Sequence, residues 1–303
     1  LIQKTSMVTA FEPNYSTFAP VYKTPGYHAQ DAYAMGLAST LSYEKDPAKV
    51  DEILRSWGFS RTHIFSRTRG KTIDTQGFVG IGDTEILVAF RGSESKADWL
   101  TNLQANTDPG GFQSSEVHSG FRDALFPVLL ELGAILGQEH KSSASGPSKT
   151  LWVTGHSLGG ALATLFMALL TVADGDCAGL VDFSFGGLYT FGAPRVGDRR
   201  FAQSLEACPL LENRIFRVLN FGDPVPQLPR RYMGFRHGGQ AITINVKGEV
   251  LESAPPPPSR LKAFGEWIGY VAQPDFQSLE SHLMPGENGY LQALQRAIVV
   301  SSS

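Results

Sequence analysis

Two kinds of apolar pattern take turns along this chain. Apolar positions three and four residues apart mark helices, and short unbroken apolar runs mark strands covered on both faces. Ala32, Met35, Leu37, Ala38 and Leu41 set the first helical pattern, within residues 28–44. Asp46-Pro47 opens a second helix that runs to about Trp57 and stops at Gly58, with the proline just inside its start. Strands are predicted at 64–65 and 72–81, around the turn Arg69-Gly70-Lys71, and at 85–90 after Gly82-Asp83. Phe121, Leu125, Val128, Leu129, Leu132, Ile135 and Leu136 then give a long amphipathic helix over 117–139. A Ser-rich surface loop at 141–149 leads into a strand at 151–154 and an almost wholly apolar helix at 157–173. Further strands are predicted at 187–192, 215–220 and 240–246, and further helices at 198–208 and 289–299. Strands alternating with helices imply an α/β protein: a mostly parallel central sheet with helices on both faces.

Size and composition narrow this picture. The chain has 303 residues, 42% of them hydrophobic, enough for one α/β domain over 1–303 without a second core. Residues 1–20 read as an extended N-terminal segment. Pro255 to Pro258 exclude helix and central strand, so 254–276 reads as an excursion or lid. The longest apolar run, 160–173, is too short to span a bilayer, and no signal-peptide pattern opens the chain. Met7 is a candidate natural start, with Leu1 to Ser6 added before it, and both a secreted and a cytoplasmic location stay open. The net charge is −3, and Lys and Arg are dispersed without a basic run, which argues against a nucleic-acid partner. Cys177 and Cys208 have no metal-ligand spacing; they could pair, but two reduced thiols are the expectation. Beyond the catalytic candidates below, no cluster of His, Asp and Cys has ligand spacing, so no metal or organic cofactor is expected.

The junction between strand 151–154 and helix 157–173 carries the chemistry. Gly155-His156-Ser157-Leu158-Gly159 fits G-x-S-x-G, the nucleophile elbow of α/β-hydrolases. The serine must stand at a strained apex, where a Cβ at either flanking glycine would crowd the turn. The helix start directs free N–H groups at the reaction centre. The motif alone is weak; a glycine turn between core elements would also produce it. The apolar strand before it and Gly160, Ala161 and Ala163 after it supply the context.

Functional groups in such sheets gather beyond the carboxyl ends of the strands, and the hydrolase order is Ser, acid, His. Asp223, in Asn220-Phe221-Gly222-Asp223-Pro224-Val225-Pro226, follows strand 215–220 and is the preferred acid. Asp174, Asp176, Asp182 and Asp198 compete, the last of them resembling a helix start. Of the histidines after Asp223, His237 lies at the beginning of strand 240–246 and His282 beyond its end, so His282 is the preferred base. His156 is expected to turn away from the reaction centre, and His118 to be a hydrogen-bonded packing residue. His282 would take the Ser157 proton during attack on an ester carbonyl and return it to the leaving alcohol, with Asp223 fixing its tautomer. The backbone N–H groups of Leu158 and Ser93 are the expected oxyanion donors, Ser93 lying just after strand 85–90.

These residues together resemble the class 3, or fungal-type, lipases. Val88-Ala89-Phe90-Arg91-Gly92-Ser93 with Trp99 is similar to the family's oxyanion segment and lid. Val117-His118-Ser119-Gly120-Phe121, Tyr189 to Gly197 and the Asp223 block resemble further family blocks. The resemblance implies an α/β-hydrolase fold and hydrolysis of acyl esters of glycerolipids, and it assigns Ser157, Asp223, His282 and Ser93 the roles argued above. Fungal members usually carry several disulfides, which two cysteines cannot supply, so the chain looks more like a bacterial member. The long stretch before His282 also departs from the family.

A lipid or other ester is the expected substrate, with transient contact to a lipid–water interface. An apolar acyl site needs a cover in water. Trp99, Leu100 and Leu103 on segment 94–103 are one candidate lid. Phe264, Trp267 and Ile268 on segment 260–272 are the other, with plain core packing an equal reading for both. A phospholipase A1, galactolipase or short-chain or aromatic esterase would use the same machinery. A serine peptidase and a non-catalytic binding module of the same fold are remoter alternatives.

Overall fold

Alternation along the central strands deals their side chains onto two faces, and each face becomes one core. In the computed structural model, residues 12–20, 24–69, 73–92, 107–108, 115–142, 148–172, 183–245, 247–251, 282–286 and 289–301 are described. In strand β3 (Glu85–Phe90), Ile86, Val88 and Phe90 enter one apolar cluster, and Leu87 and Ala89 the other. Strand β6 (Thr150–His156) does the same, with Leu151 and Val153 on one side and Trp152 on the other. That is why these runs are apolar without interruption: neither face meets water.

The main sheet has the order β1-β2-β3-β6-β7-β8-β9-β10. Its remaining strands are β1 (Arg61–Arg69), β2 (Ile73–Ile81), β7 (Ser184–Phe191), β8 (Ile215–Asn220), β9 (Gln240–Ile244) and β10 (Val250–Leu251). Pairing is parallel from β3 through β9 and antiparallel at both edges. Two-residue strands β4 (Thr107–Asp108) and β5 (Val117–His118) form a separate antiparallel pair. On one face lie α3 (Ser119–Ser142), α4 (Leu158–Thr171) and α5 (Arg199–Ala207). The other face carries α1 (Ala29–Leu41), α2 (Pro47–Ser56) and α6 (Tyr290–Ser301).

The differences from the sequence reading have local causes. The predicted strand at 64–65 is a nine-residue strand, β1, paired in full register with β2 from Arg61↔Ile81 to Arg69↔Ile73. Its polar residues hid it, because an edge strand buries little; among its described side chains only Phe65 is fully buried. Its charges instead meet α3, through Arg61 to Glu139 and Arg67 to Glu131, each at 2.7 Å. The long helix begins at Ser119 rather than 117, because Val117 and His118 pair as β5. Cys208 is disulfide-bonded, which corrects the expectation of two reduced thiols; the other cysteine, Cys177, lies outside the described residues. Among the described residues no helix is long and apolar enough to cross a membrane.

Candidate active site

The parallel strands β6, β7 and β8 end side by side, so whatever follows them shares one edge of the sheet. After β6 the chain reverses at Ser157, whose backbone sits at φ 56° and ψ −125° before α4 begins. A non-glycine residue in that region costs on the order of 1–3 kcal/mol and persists only where its surroundings hold it. Two glycines make the reversal sterically feasible. A Cβ at Gly155 would strike the Gly159 carbonyl, and one at Gly159 would strike the Phe90 carbonyl of β3. The Ser157 N–H donates to Phe191 O at 2.9 Å, fastening the apex to the end of β7. Leu158 opens α4, where the first N–H groups have no partner within the helix.

Asp223 follows β8 through a turn in which its N–H donates to Asn220 O and Gly222 adopts φ 93°. Its carboxylate is buried and fully engaged. Oδ1 accepts the Val225 N–H at 2.8 Å, and Oδ2 accepts both His282 Nδ1–H at 2.8 Å and the Tyr290 hydroxyl at 2.6 Å. A carboxylate can only accept, so Nδ1 carries the proton and Nε2 of a neutral His282 is left as the basic nitrogen. His282 is 1% exposed, and among the described residues its Nε2 has no hydrogen-bond partner, the Ser157 hydroxyl included. Gly192, at φ 58°, lies directly against this pair; a Cβ there would come within 2.7 Å of Asp223 Oδ2.

Two contributors, Tyr290 and Tyr43, went unnoticed in the sequence, and a third, His156, was expected to point elsewhere. Tyr290, at the start of α6, donates to Asp223; burial and the adjacent Asp223 charge push its pKa well above the ordinary value, so it remains a donor. No local pattern marks it, since a tyrosine opening an apolar helix reads as core. His156 corrects the expectation that it turns away. Its ring lies 4.6 Å from that of His282, and its Nε2–H donates to the His282 backbone carbonyl at 2.5 Å. Its Nδ1 then accepts the Tyr43 hydroxyl at 2.8 Å. Tyr43, from the turn after α1, thus completes a chain of contacts from the N-terminal helices to the loop carrying His282.

The competing residues fall elsewhere. Asp198 caps α5, accepting the Phe201 N–H at 2.8 Å. His118 is buried, stacks on Phe121 and accepts the Gly120 N–H, as expected of a packing residue. His237 bonds to Pro226 O, and burial with nearby Arg217 and Arg195 pushes its pKa well below the usual histidine value. Asp174, Asp176 and Asp182 lie outside the described residues, as do Ser93, Trp99, Leu100, Leu103, Phe264, Trp267 and Ile268. Gly92, just before Ser93, does pass against the elbow: a Cβ on it would meet Ser157 Cβ at 3.3 Å.

The model of the lipase (class 3) family matches residues 87–233, which include Ser157 and Asp223. The solved structure of the Rhizomucor miehei triacylglyceride lipase is 31% identical, with a TM-score of 0.53, over 70% of this chain and 78% of that one. The chain belongs to the class 3 lipase family. Its fold is accordingly that of the α/β-hydrolases, with a central sheet wrapped by helices. The lipase of Rhizomucor miehei, compared by sequence, is 36% identical over 174 residues, 56% of this chain and 45% of the relative. A rice (Oryza sativa subsp. indica) phospholipase A1-II 1 is 27% identical over 198 residues, 58% of this chain and 47% of the relative. The chain thus matches about half the length of these curated relatives. They are a fungal and a plant protein and lend no support to a bacterial origin.

Proposed function

We propose that this class 3 lipase chain is a serine hydrolase cleaving acyl esters of glycerolipids. The observation that carries the reading is the buried Asp223–His282 pair, whose Nε2 has no partner among the described residues, at the sheet edge where Ser157 stands strained. In this reading Ser157 Oγ attacks the ester carbonyl as its proton passes to His282 Nε2. The alcohol leaves with that proton, and water, deprotonated by the same nitrogen, releases the acid from the acyl-enzyme. Asp223 holds the imidazole in the Nδ1–H tautomer and offsets the imidazolium charge. The N–H groups of Leu158 and Ser93 stabilise the tetrahedral oxyanion. Apolar segments around Trp99, Leu100 and Leu103, or around Phe264, Trp267 and Ile268, cover the acyl site and meet the lipid–water interface.

Ser157→Ala abolishes ester hydrolysis, on the order of 10^6-fold, and fluorophosphonate labelling with it. Asp223→Asn costs less, ~10^4-fold, because the base survives in the wrong tautomer. A folded Ser157→Ala variant that keeps most of its activity, or a dead His237→Ala beside an active His282→Ala, refutes the assignment. Trp99→Ala alters turnover of emulsified long-chain esters more than of soluble short-chain esters; equal losses on both remove Trp99 from any lid. The rice relative named as a phospholipase A1 favours one second reading, the same chemistry on the sn-1 ester of a phospholipid. An acyl-length series of p-nitrophenyl esters, run beside a phospholipid, separates the two.

A further inference from the structure

Away from the triad, cationic side chains crowd one flank of the sheet. Between α5 and the segment 231–237 lies a cleft of about 400 Å³, lined by Arg199, Arg231, Arg236, His237 and one carboxylate, Glu206. This volume falls within the range of small-ligand sites. Arg195, Arg217 and Arg230 stand close enough to act on the same groups electrostatically. Burial, and for Arg195 also the charges of Arg231, Arg217, Arg230 and Arg236, pulls Arg195 and Arg217 down to about 10.

Two of these arginines already have fixed duties. Arg195 donates to the carbonyls of Gln227 and Pro229, and Arg236 to those of Arg231 and Phe235. These bonds tie the wall of the cleft to the loop that follows Asp223. Arg199 and Arg231 are different: both are exposed, and among the described residues neither forms an ion pair or a side-chain hydrogen bond. Three guanidinium groups line the cleft beside one carboxylate, and Arg195, Arg217 and Arg230 add like charge nearby; the chain as a whole is negative, so composition does not account for the cluster. A planar guanidinium fork matches the oxygens of a phosphate in pairs.

We propose that this cleft binds a phosphate-bearing anion, with Arg199 and Arg231 as its free arms. Histidine 237 adds no charge there, since it is held neutral by its surroundings. The phosphate can come from a lipid headgroup at a membrane surface or from solution. The site does not rest on the hydrolytic reading, and Ser157→Ala leaves it intact.

The test uses the full chain, wild type and the double variant Arg199→Gln/Arg231→Gln, at fixed ionic strength. Inorganic phosphate is titrated by calorimetry and by its shift of the unfolding midpoint against chloride. In parallel, sedimentation is measured with phosphatidylcholine vesicles, with and without phosphatidic acid. Loss of one charged hydrogen-bond partner weakens binding by roughly tenfold or more, so the double variant loses saturable binding. Binding of free phosphate that the variant loses identifies a soluble ligand, and binding only to phosphatidic acid vesicles identifies a headgroup. No binding in either arm overturns the proposal. So does equal loss in the remote control Lys49→Gln/Arg55→Gln, which would make the effect one of general charge. The cleft variant unfolds close to the wild-type temperature in chloride, because the removed groups have more like charges than opposite ones around them; a collapsed variant is replaced by Arg199→Gln alone.

Discussion

At the scale of single residues, the site is assembled against local preference. Ser157 keeps a backbone angle that glycine adopts freely and serine does not. Ser157→Gly is therefore more stable than Ser157→Ala by ~1–3 kcal/mol, although both are inactive. Chemical denaturation of the two variants measures the difference, and equal stability would mean the apex stores no strain. Tyr290 supplies one of the three hydrogen bonds to Asp223. Tyr290→Phe removes that hydroxyl while keeping the buried ring. It lowers kcat by roughly tenfold with little change in KM, the size of about one net hydrogen bond. A changed KM with constant kcat would assign Tyr290 to substrate binding instead.

At the scale of elements, the edge strand β1 is tied to α3 by charged pairs in addition to its ladder with β2. Glu139 of α3 is buried, receives two hydrogen bonds from Arg61 Nη2, and accepts one from Lys149 Nζ at 2.9 Å. Burial alone would raise its carboxyl pKa; the hydrogen bonds and charges of Lys149 and Arg61 outweigh that and hold it below the usual 4.5. Glu139→Gln costs ~2 kcal/mol at neutral pH. The native carboxylate binds fewer protons than the unfolded one, so its contribution is present above about 4.5, the ordinary value, and fades as pH falls through the lowered native one. Unfolding measured from pH 7 downward should show wild type and variant converging on the acid side. A gap that stays constant would show that the pair contributes through packing alone.

At the scale of the molecule, the active site is joined to the two ends of the described chain. Helix α6 brings Tyr290 to Asp223, and its Leu291 and Leu294 pack within 3.4 Å of where a Cβ on Gly36 of α1 would stand. Tyr43, just after α1, meets His156 at the elbow. Leu294 is fully buried, so Leu294→Ala costs ~2–5 kcal/mol. Because α6 carries a site residue, heat should abolish hydrolysis and near-UV dichroism at the same temperature in that variant. Activity lost well before the dichroic signal would mean that α6 leaves the sheet on its own.

The sequence by itself determined the alternation of strands and helices, the position of the strand–turn–helix elbow at Ser157 and the chain order of Ser157, Asp223 and His282. Each of these is written in local periodicity or in a short motif whose glycines are demanded by sterics, as Gly155 and Gly159 are. It could also place His282 beyond the end of β9 and His237 before its start, because strand direction follows from topology. What only the tertiary structure decided concerns groups that meet from distant parts of the chain. Tyr43 and His156 are separated by 113 residues, His156 and His282 by 126, and Tyr290 and Asp223 by 67. The gathering of arginines from β8, α5 and the 230–236 segment is of the same kind. No periodicity records such meetings, since a buried hydroxyl or imidazole reads locally as core. The charged strand β1 was obscured for the converse reason: its polar residues find their partners on α3, a helix not adjacent to it in sequence.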